Sequence, residues 1–496
     1  MTASRRPRSR RGRLLRGQPL CSLAICLALL GLAREARAQL AAPGVNARLS
    51  TYATGRVLPG ATERARFLRF IQLVDLDGRP NLAGLSVHAS FWAAVDVGNE
   101  RLEIDRGSGD ISSLYLRYVA PAKPRFGWMR GITLTVGRQF VSAGPTTLEQ
   151  IDGVELRYTH VNSGIQLVAF GGAPSGIRLT NQPFALGNDD YDYGESWVVG
   201  GRLGYVDFGG IVRGGVAYVQ RRWNGEIAQQ DVSADLSLSL LRGSAPLTLN
   251  AIGTMSLEAL DLKEVRASLD FQPFRRLDLA LGYRYSRPDL WIPRTSIFSV
   301  FSDETFQEAS ADVGLRITRG LRLRAGYGRR FYWSIGLTPV GNDPTVAYEN
   351  QADGANRAMA ELSWRFLIRR WGGGSGRVIA RVERLEAPED NAYNRARLAA
   401  AIPFILRAPI RIVADVDAFF LDNEINGTRY GLLARGFVEI APFCPCFKIL
   451  VGGGGGISPL LSKQGTFLVR LSWQQSTFKA AAGRLSLSRR IEEGRW

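Results

Sequence analysis

Histidine is almost missing from this chain of 496 residues. There are two, together with four cysteines and four methionines. Cys21 and Cys26 fall in an apolar leader, so only Cys444 and Cys446 remain, and no disulfide framework holds the fold. No zinc spacing is present, and neither a metal nor a cofactor is expected. Beyond residue 38 there is no run of about 18 apolar residues, which excludes a helical membrane protein. Clusters of Lys and Arg with interleaved aromatics are also missing, as is any recognition-helix pattern, so nucleic acid is not an expected partner.

The leader sets the compartment. Arg5, Arg6, Arg8, Arg10, Arg11, Arg13 and Arg16 form a basic block, Leu20 to Leu32 an apolar core, and Ala36-Arg37-Ala38 a small-residue cleavage site. Residues 1–38 are predicted to be a cleaved secretory signal. The apolar core is too short for a spanning anchor. Ile25 is too bulky for a lipoprotein site at Cys26. Nine Arg and one Glu leave with the leader, so the net charge of +18 falls to about +10.

What the chain does contain is alternation. In Gly131-Ile-Thr-Leu-Thr-Val-Gly-Arg-Gln-Phe140, Ile132, Leu134 and Val136 share one face, with Thr133, Thr135 and Gln139 on the other. Ile151 to Tyr158 and Ile165 to Gly171 repeat the pattern across the turn Val161-Asn-Ser-Gly164. Period two marks a strand whose faces meet different media. Such segments recur from Val45–Gly60 to Gly465–Gln475. They predict an all-β fold, an antiparallel transmembrane β-barrel of about 18–22 strands, best 22, with no N-terminal plug. The barrel occupies residues 39–476, and residues 477–496 are a further strand or a periplasmic tail. Short turns alternate with long loops almost throughout, so the chain starts and ends in the periplasm and the barrel sits in a bacterial outer membrane.

An Arg on the lipid face near the midplane costs about 2–4 kcal/mol, so the charged face is assigned to the lumen. The candidate lumen cations are Arg138, Arg157, Arg202, Arg284, Arg316, Arg322, Arg324, Arg377, Arg381, Arg397, Arg411, Arg435 and Arg470. The acids are Glu155, Asp278, Asp312, Glu383, Asp415, Asp417 and Glu439. Planar guanidinium groups suit carboxylate and phosphate, which points to an anion-preferring lumen. The alternative is that Arg and acid on neighbouring strands pair and brace the wall; seven acids then still leave a cationic surplus.

Other features are open. Trp223, Trp291, Trp333 and Trp371 suit an interfacial girdle or sugar platforms. The acid–aromatic loop Asn181 to Glu195 is a solvated loop or a gate. His88 shares a face with Ser86 and Ser90, but strand spacing holds them about 6.5–7 Å apart, so no enzyme is expected. Cys444-Pro-Cys446 is a turn staple, a free thiol pair or a metal site. Gly452 to Gly456 lacks the helix and Lys of a phosphate loop.

Val136-Gly-Arg-Gln139, then Ile151-Asp-Gly-Val-Glu-Leu-Arg-Tyr158 and Phe170-Gly-Gly172, resemble large Gram-negative outer-membrane porins, in particular the alginate-export type. The resemblance implies an Arg-lined lumen passing anionic polysaccharide, with Arg138 and Arg157 as the matching positions. Two functions follow as expectations. One is an outer-membrane channel for anionic solutes or an exported polysaccharide, embedded in outer-membrane lipid and working with periplasmic export partners. The other is a non-conducting structural barrel closed by loops and Arg–acid ladders.

Overall fold

Alternating side chains give strands here and almost nothing else. The computed structural model describes residues 44–59, 64–79, 84–96, 107–120, 130–144, 148–160, 162–175, 195–207, 209–241, 243, 245–290, 305–333, 354–368, 374–386, 392–405, 409–425, 427–442, 444, 446–458 and 463–476. The expected signal, residues 477–496, Trp291, Trp371 and nearly all of the acid–aromatic loop fall outside them.

In chain order the strands are β1 (Val45–Pro59), β2 (Arg64–Gly78), β3 (Leu85–Asp96), β4 (Gly107–Val119), β5 (Ile132–Val141), β6 (Glu149–Thr159) and β7 (Ile165–Pro174). Then come β8 (Trp197–Val206), β9 (Val212–Trp223), β10 (Glu226–Leu241), β11 (Leu247–Ser256), β12 (Asp261–Phe274), β13 (Leu277–Ser286) and β14 (Thr305–Arg316). The last are β15 (Leu321–Trp333), β16 (Ala355–Ile368), β17 (Gly374–Glu386), β18 (Tyr393–Ile405), β19 (Pro409–Ile425), β20 (Thr428–Ile440), β21 (Phe447–Ile457) and β22 (Gln464–Ser476). Each pairs antiparallel with the next, and β1 pairs with β22, setting Leu49 opposite Trp473. The 22-stranded sheet therefore has no edge, which is what lipid demands of a β-structure.

One rim, where β1 begins, carries short connections such as Arg275–Arg276 and residues 317–320. It is called the turn rim. At the opposite rim, the loop rim, the sequence separations are longer, with residues 175–196 between β7 and β8, 287–304 between β13 and β14 and 334–354 between β15 and β16. The alternation is less regular than expected. Asn224-Gly225 joins β9 to β10 at the loop rim with φ of 46° and 80°, the two left-handed residues of a type I′ hairpin. The β11–β12 and β19–β20 connections at that rim are also tight.

The outer face is exposed and apolar. Leu203 (59% exposed), Leu281 (55%) and Val382 (57%) stand on it, with Leu134, Val136, Leu156, Val313, Leu323, Phe467 and Leu471. A closed, even-numbered antiparallel barrel with such a band is built as a bacterial outer-membrane barrel. Among the described residues no helix is long and apolar enough to cross a membrane. Aromatics stud the outer face, including Trp364, Tyr327, Phe420 and Tyr430. Trp223 does not join them: it takes the same side as Arg221, whose guanidinium lies 5.7 Å over its ring. Cys444 and Cys446 are joined by a disulfide in the β20–β21 turn.

Candidate functional site

Register decides which charges see the lumen. In β5, Arg138 is opposite Leu114 of β4 and Asp152 of β6, while Val136 is opposite Leu116 and Val154. Arg138 thus stands on the outer, apolar face, and its place among the lumen cations is corrected. It survives there for two reasons. It lies near the loop rim, where the cost of a charge falls to about 0–1 kcal/mol. It is also neutralised: Nε and Nη2 donate to Asp152 (2.7 and 2.8 Å) and Nη1 to Asp110 (3.0 Å). The same register turns Thr135, Gln139, Ile151, Glu155 and Arg157 inward, and Arg157 Nη2 donates to the buried Glu155 (2.7 Å).

The other candidate positions share the inner face, and most of them form ladders of ion pairs. Arg284 Nε donates to Glu264 (3.1 Å), an acid that Arg266 also engages. Arg324 engages Asp312 (3.2 Å). Arg357 and Arg381 converge on Glu383 at 3.0 and 2.6 Å. Arg397 and Arg435 converge on Asp415 at 2.9 and 2.6 Å, and Arg395 pairs with Asp417 at 2.5 Å. Arg470 and Lys448 share Glu439 at 3.3 and 3.8 Å.

Two pairs skip a strand over a glycine. Arg202 on β8 crosses Gly215 of β9 to reach Asp235 on β10, with Nη2–Oδ2 of 2.8 Å. A Cβ at Gly215 would sit 2.7 Å from the guanidinium carbon. Arg322 on β15 likewise crosses Gly314 of β14 to reach Asp278 on β13 at 2.9 Å. The Gly452–Gly456 run serves packing too: its inward glycines lie opposite Phe437, Arg435 and Leu433, and a Cβ on Gly454 would sit 2.5 Å from Arg435 Cγ.

The sequence reading missed several members. Glu308 pairs with Arg330 at 2.8 Å, and Asp231 with Lys263 at 2.8 Å. Lys263 and Glu264 are consecutive yet both buried, because Lys263 is the extra residue of a bulge between Thr254–Glu264 and Met255–Leu262. Strict alternation would have turned one of them to lipid. Among the described residues, several inward arginines have no carboxylate within ion-pairing distance: Arg316, Arg365, Arg377 and Arg411, all exposed at the turn rim, the last opposite Glu439 but not paired with it.

The connection from β5 to β6 folds into the barrel. Ala143 is fully buried in an inner cluster with Val141, Ile151, Phe170, Val198, Ala217 and Val219. Gly144 lies against Ala217 of β9 and Ser233 of β10. Glu149, at the start of β6, reaches Arg221 of β9 at 3.6 Å, both buried. This segment lines the loop-rim half of the lumen on one side and leaves the Arg–acid ladders bare on the other.

His88 has an orienting partner that the sequence hid. Its Nδ1 lies 2.6 Å from Asp77 Oδ1, and its ring stacks on Tyr115. The neighbouring hydroxyls are engaged elsewhere, Ser90 with Asp75 (2.6 Å) and Ser86 with the Arg117 carbonyl (3.3 Å). Among the described residues no His, Cys, Asp and Glu group is arranged to hold a metal ion.

No protein-family model matches the chain, and no curated protein sequence matches it. Neither comparison shows the expected likeness to alginate-export porins. Solved barrels resemble it in shape. The Pseudomonas aeruginosa OccK2 (OpdF) structure in complex with glucuronate is 10% identical with a TM-score of 0.42, covering 87% of this chain and 98% of that one. Pseudomonas aeruginosa OccK1 (OpdK) is 10% identical with a TM-score of 0.39, covering 88% and 98%. PapC in the E. coli P pilus tip assembly intermediate PapC-PapD-PapK-PapG is 11% identical with a TM-score of 0.44, covering 88% and 62%.

Proposed function

We propose that the chain is an outer-membrane channel whose lumen prefers anions, passing anionic solutes or an exported acidic polysaccharide with the help of periplasmic partners. The observation that carries this reading is the uneven charge balance of the inner face. Deep in the wall, arginines and acids neutralise one another. At the turn rim, Arg316, Arg365 and Arg377 add positive charge with no carboxylate within ion-pairing distance among the described residues, and Arg411 stands opposite Glu439, an acid that Arg470 and Lys448 already share. A cationic ring at a pore mouth raises the local anion concentration and sets selectivity. Planar-bilayer recording of the purified protein in a salt gradient tests it. The expected result is a reversal potential favouring chloride over potassium; a cation-selective pore sinks the proposal.

One observation favours a second reading. The doubly bonded acid Asp415 ties β18, β19 and β20 into a brace, and Glu383 ties β16 to β17, as a structural, non-conducting barrel would need. Bilayers that stay silent at high protein load select that reading instead.

A further inference from the structure

Four arginines run side by side across four consecutive strands at the turn rim: Arg316 on β14, Arg322 on β15, Arg365 on β16 and Arg377 on β17. Arg316 is directly opposite Arg322, and Arg365 directly opposite Arg377. The Arg365 N–H donates to the Gly320 carbonyl in the β14–β15 turn (2.7 Å), which holds the two pairs against each other. Like charges opposed on neighbouring strands are destabilising. Elsewhere on the inner face the protein answers such a pairing with acid: Arg381 is opposite Arg397, yet the two reach Glu383 and Asp415. Among the described residues only Arg322 of the arc has a carboxylate, Asp278. All four side chains are exposed. The backbone N–H of Arg316 also bonds the carbonyl of Arg276, and Arg319 lies in the adjoining turn, so these neighbours add further positive charge.

We propose that this arc is a binding site for a multivalent anion, one carrying several carboxylate or phosphate groups in a row. Strands are about 4.8 Å apart, so the arc presents guanidinium groups over roughly 14 Å. Each offers a planar fork of donors that fits a carboxylate or phosphate. A single anionic group satisfies one guanidinium and leaves the opposed pair repelling. A chain of anionic groups bridges both opposed pairs and removes both repulsions. Arg322 of the arc also lines a recess of about 360 Å³ on the β11–β15 side, together with Arg324, Asp270, Asp278 and Asp312. Two of these acids are paired with the two arginines and Asp270 leaves the recess net acidic, so the ligand runs from Arg316 toward β17. The site names the solute class of the channel proposed above and rests on that reading for its purpose, though not for its chemistry.

Titration calorimetry on the detergent-purified full-length protein tests it, with inorganic tripolyphosphate and orthophosphate as probes at fixed salt. Tripolyphosphate is expected to bind at least tenfold more tightly than orthophosphate. Arg365→Ser/Arg377→Ser should abolish that preference, and Arg384→Ser at the loop rim should keep it. Removing the opposed pair should also raise the thermal midpoint of the phosphate-free protein, which separates lost binding from lost folding. Equal affinity for the two probes overturns the proposal, and so does an R365S/R377S variant that keeps the preference. Calorimetry needs no conduction, so a silent bilayer would count against the channel and leave this result standing.

Discussion

Lys263 Nζ lies 2.8 Å from Asp231 Oδ2 inside the barrel wall, with both side chains almost wholly hidden from solvent. Breaking a buried pair strands its partner charge and costs about 3–5 kcal/mol, whereas replacing both partners by apolar groups is often neutral. Lys263→Met should therefore destabilise the folded barrel strongly, and Lys263→Met/Asp231→Leu should recover most of the loss. Heat-modifiable gel mobility and denaturant unfolding in detergent measure both. A double variant no better than the single would show that the pair is not the determinant.

Asp415 holds two cations, Arg397 and Arg435. Asp415→Asn frees both on the inner face. The chloride-to-potassium permeability ratio should rise in this variant above that of the parent. A ratio that falls would place these arginines away from the conducting path.

Arg138 faces the membrane side with Asp110 and Asp152. Arg138→Ala leaves two carboxylates without their cation close to the apolar belt. The expected outcome is a lowered thermal midpoint with an unchanged reversal potential. A shift in selectivity would return Arg138 to the lumen.

The inward fold of the β5–β6 connection can be locked covalently. A Cβ built on Gly144 lies 3.9 Å from Ser233 Cβ, inside the range for a disulfide. Gly144→Cys/Ser233→Cys should form a second disulfide beside Cys444–Cys446, read as two fewer titratable thiols and a shift on non-reducing gels. Persistently free thiols under oxidising conditions would mean that this segment leaves the wall.

The strands were readable because the barrel's lipid face enforces period two, and Leu277 to Tyr283 or Phe467 to Trp473 state it without ambiguity. Their ends moved by a few residues only, as at β10, which starts at Glu226 rather than Val232 because Asn224-Gly225 makes a hairpin. The face of Arg138 was also readable from Leu134 and Val136, but the expectation followed charge instead of parity. Its neutralising partner Asp110 lies on another strand, and cross-strand partners leave no local signature. The Lys263 bulge and the inward turn of Ala143 are invisible to periodicity for the same reason: each is decided by contacts with β9 and β10.

Joining β1 to β22 makes the first and last strands neighbours in space, with Tyr52 opposite Arg470. Contact order is thereby driven to its extreme, and such non-local pairing is slow to form. Until β22 is in place, β1 offers an unpaired backbone edge open to other chains. Assembly of this barrel therefore hinges on its last strand. A truncation within β22 should yield aggregates in place of a smaller barrel.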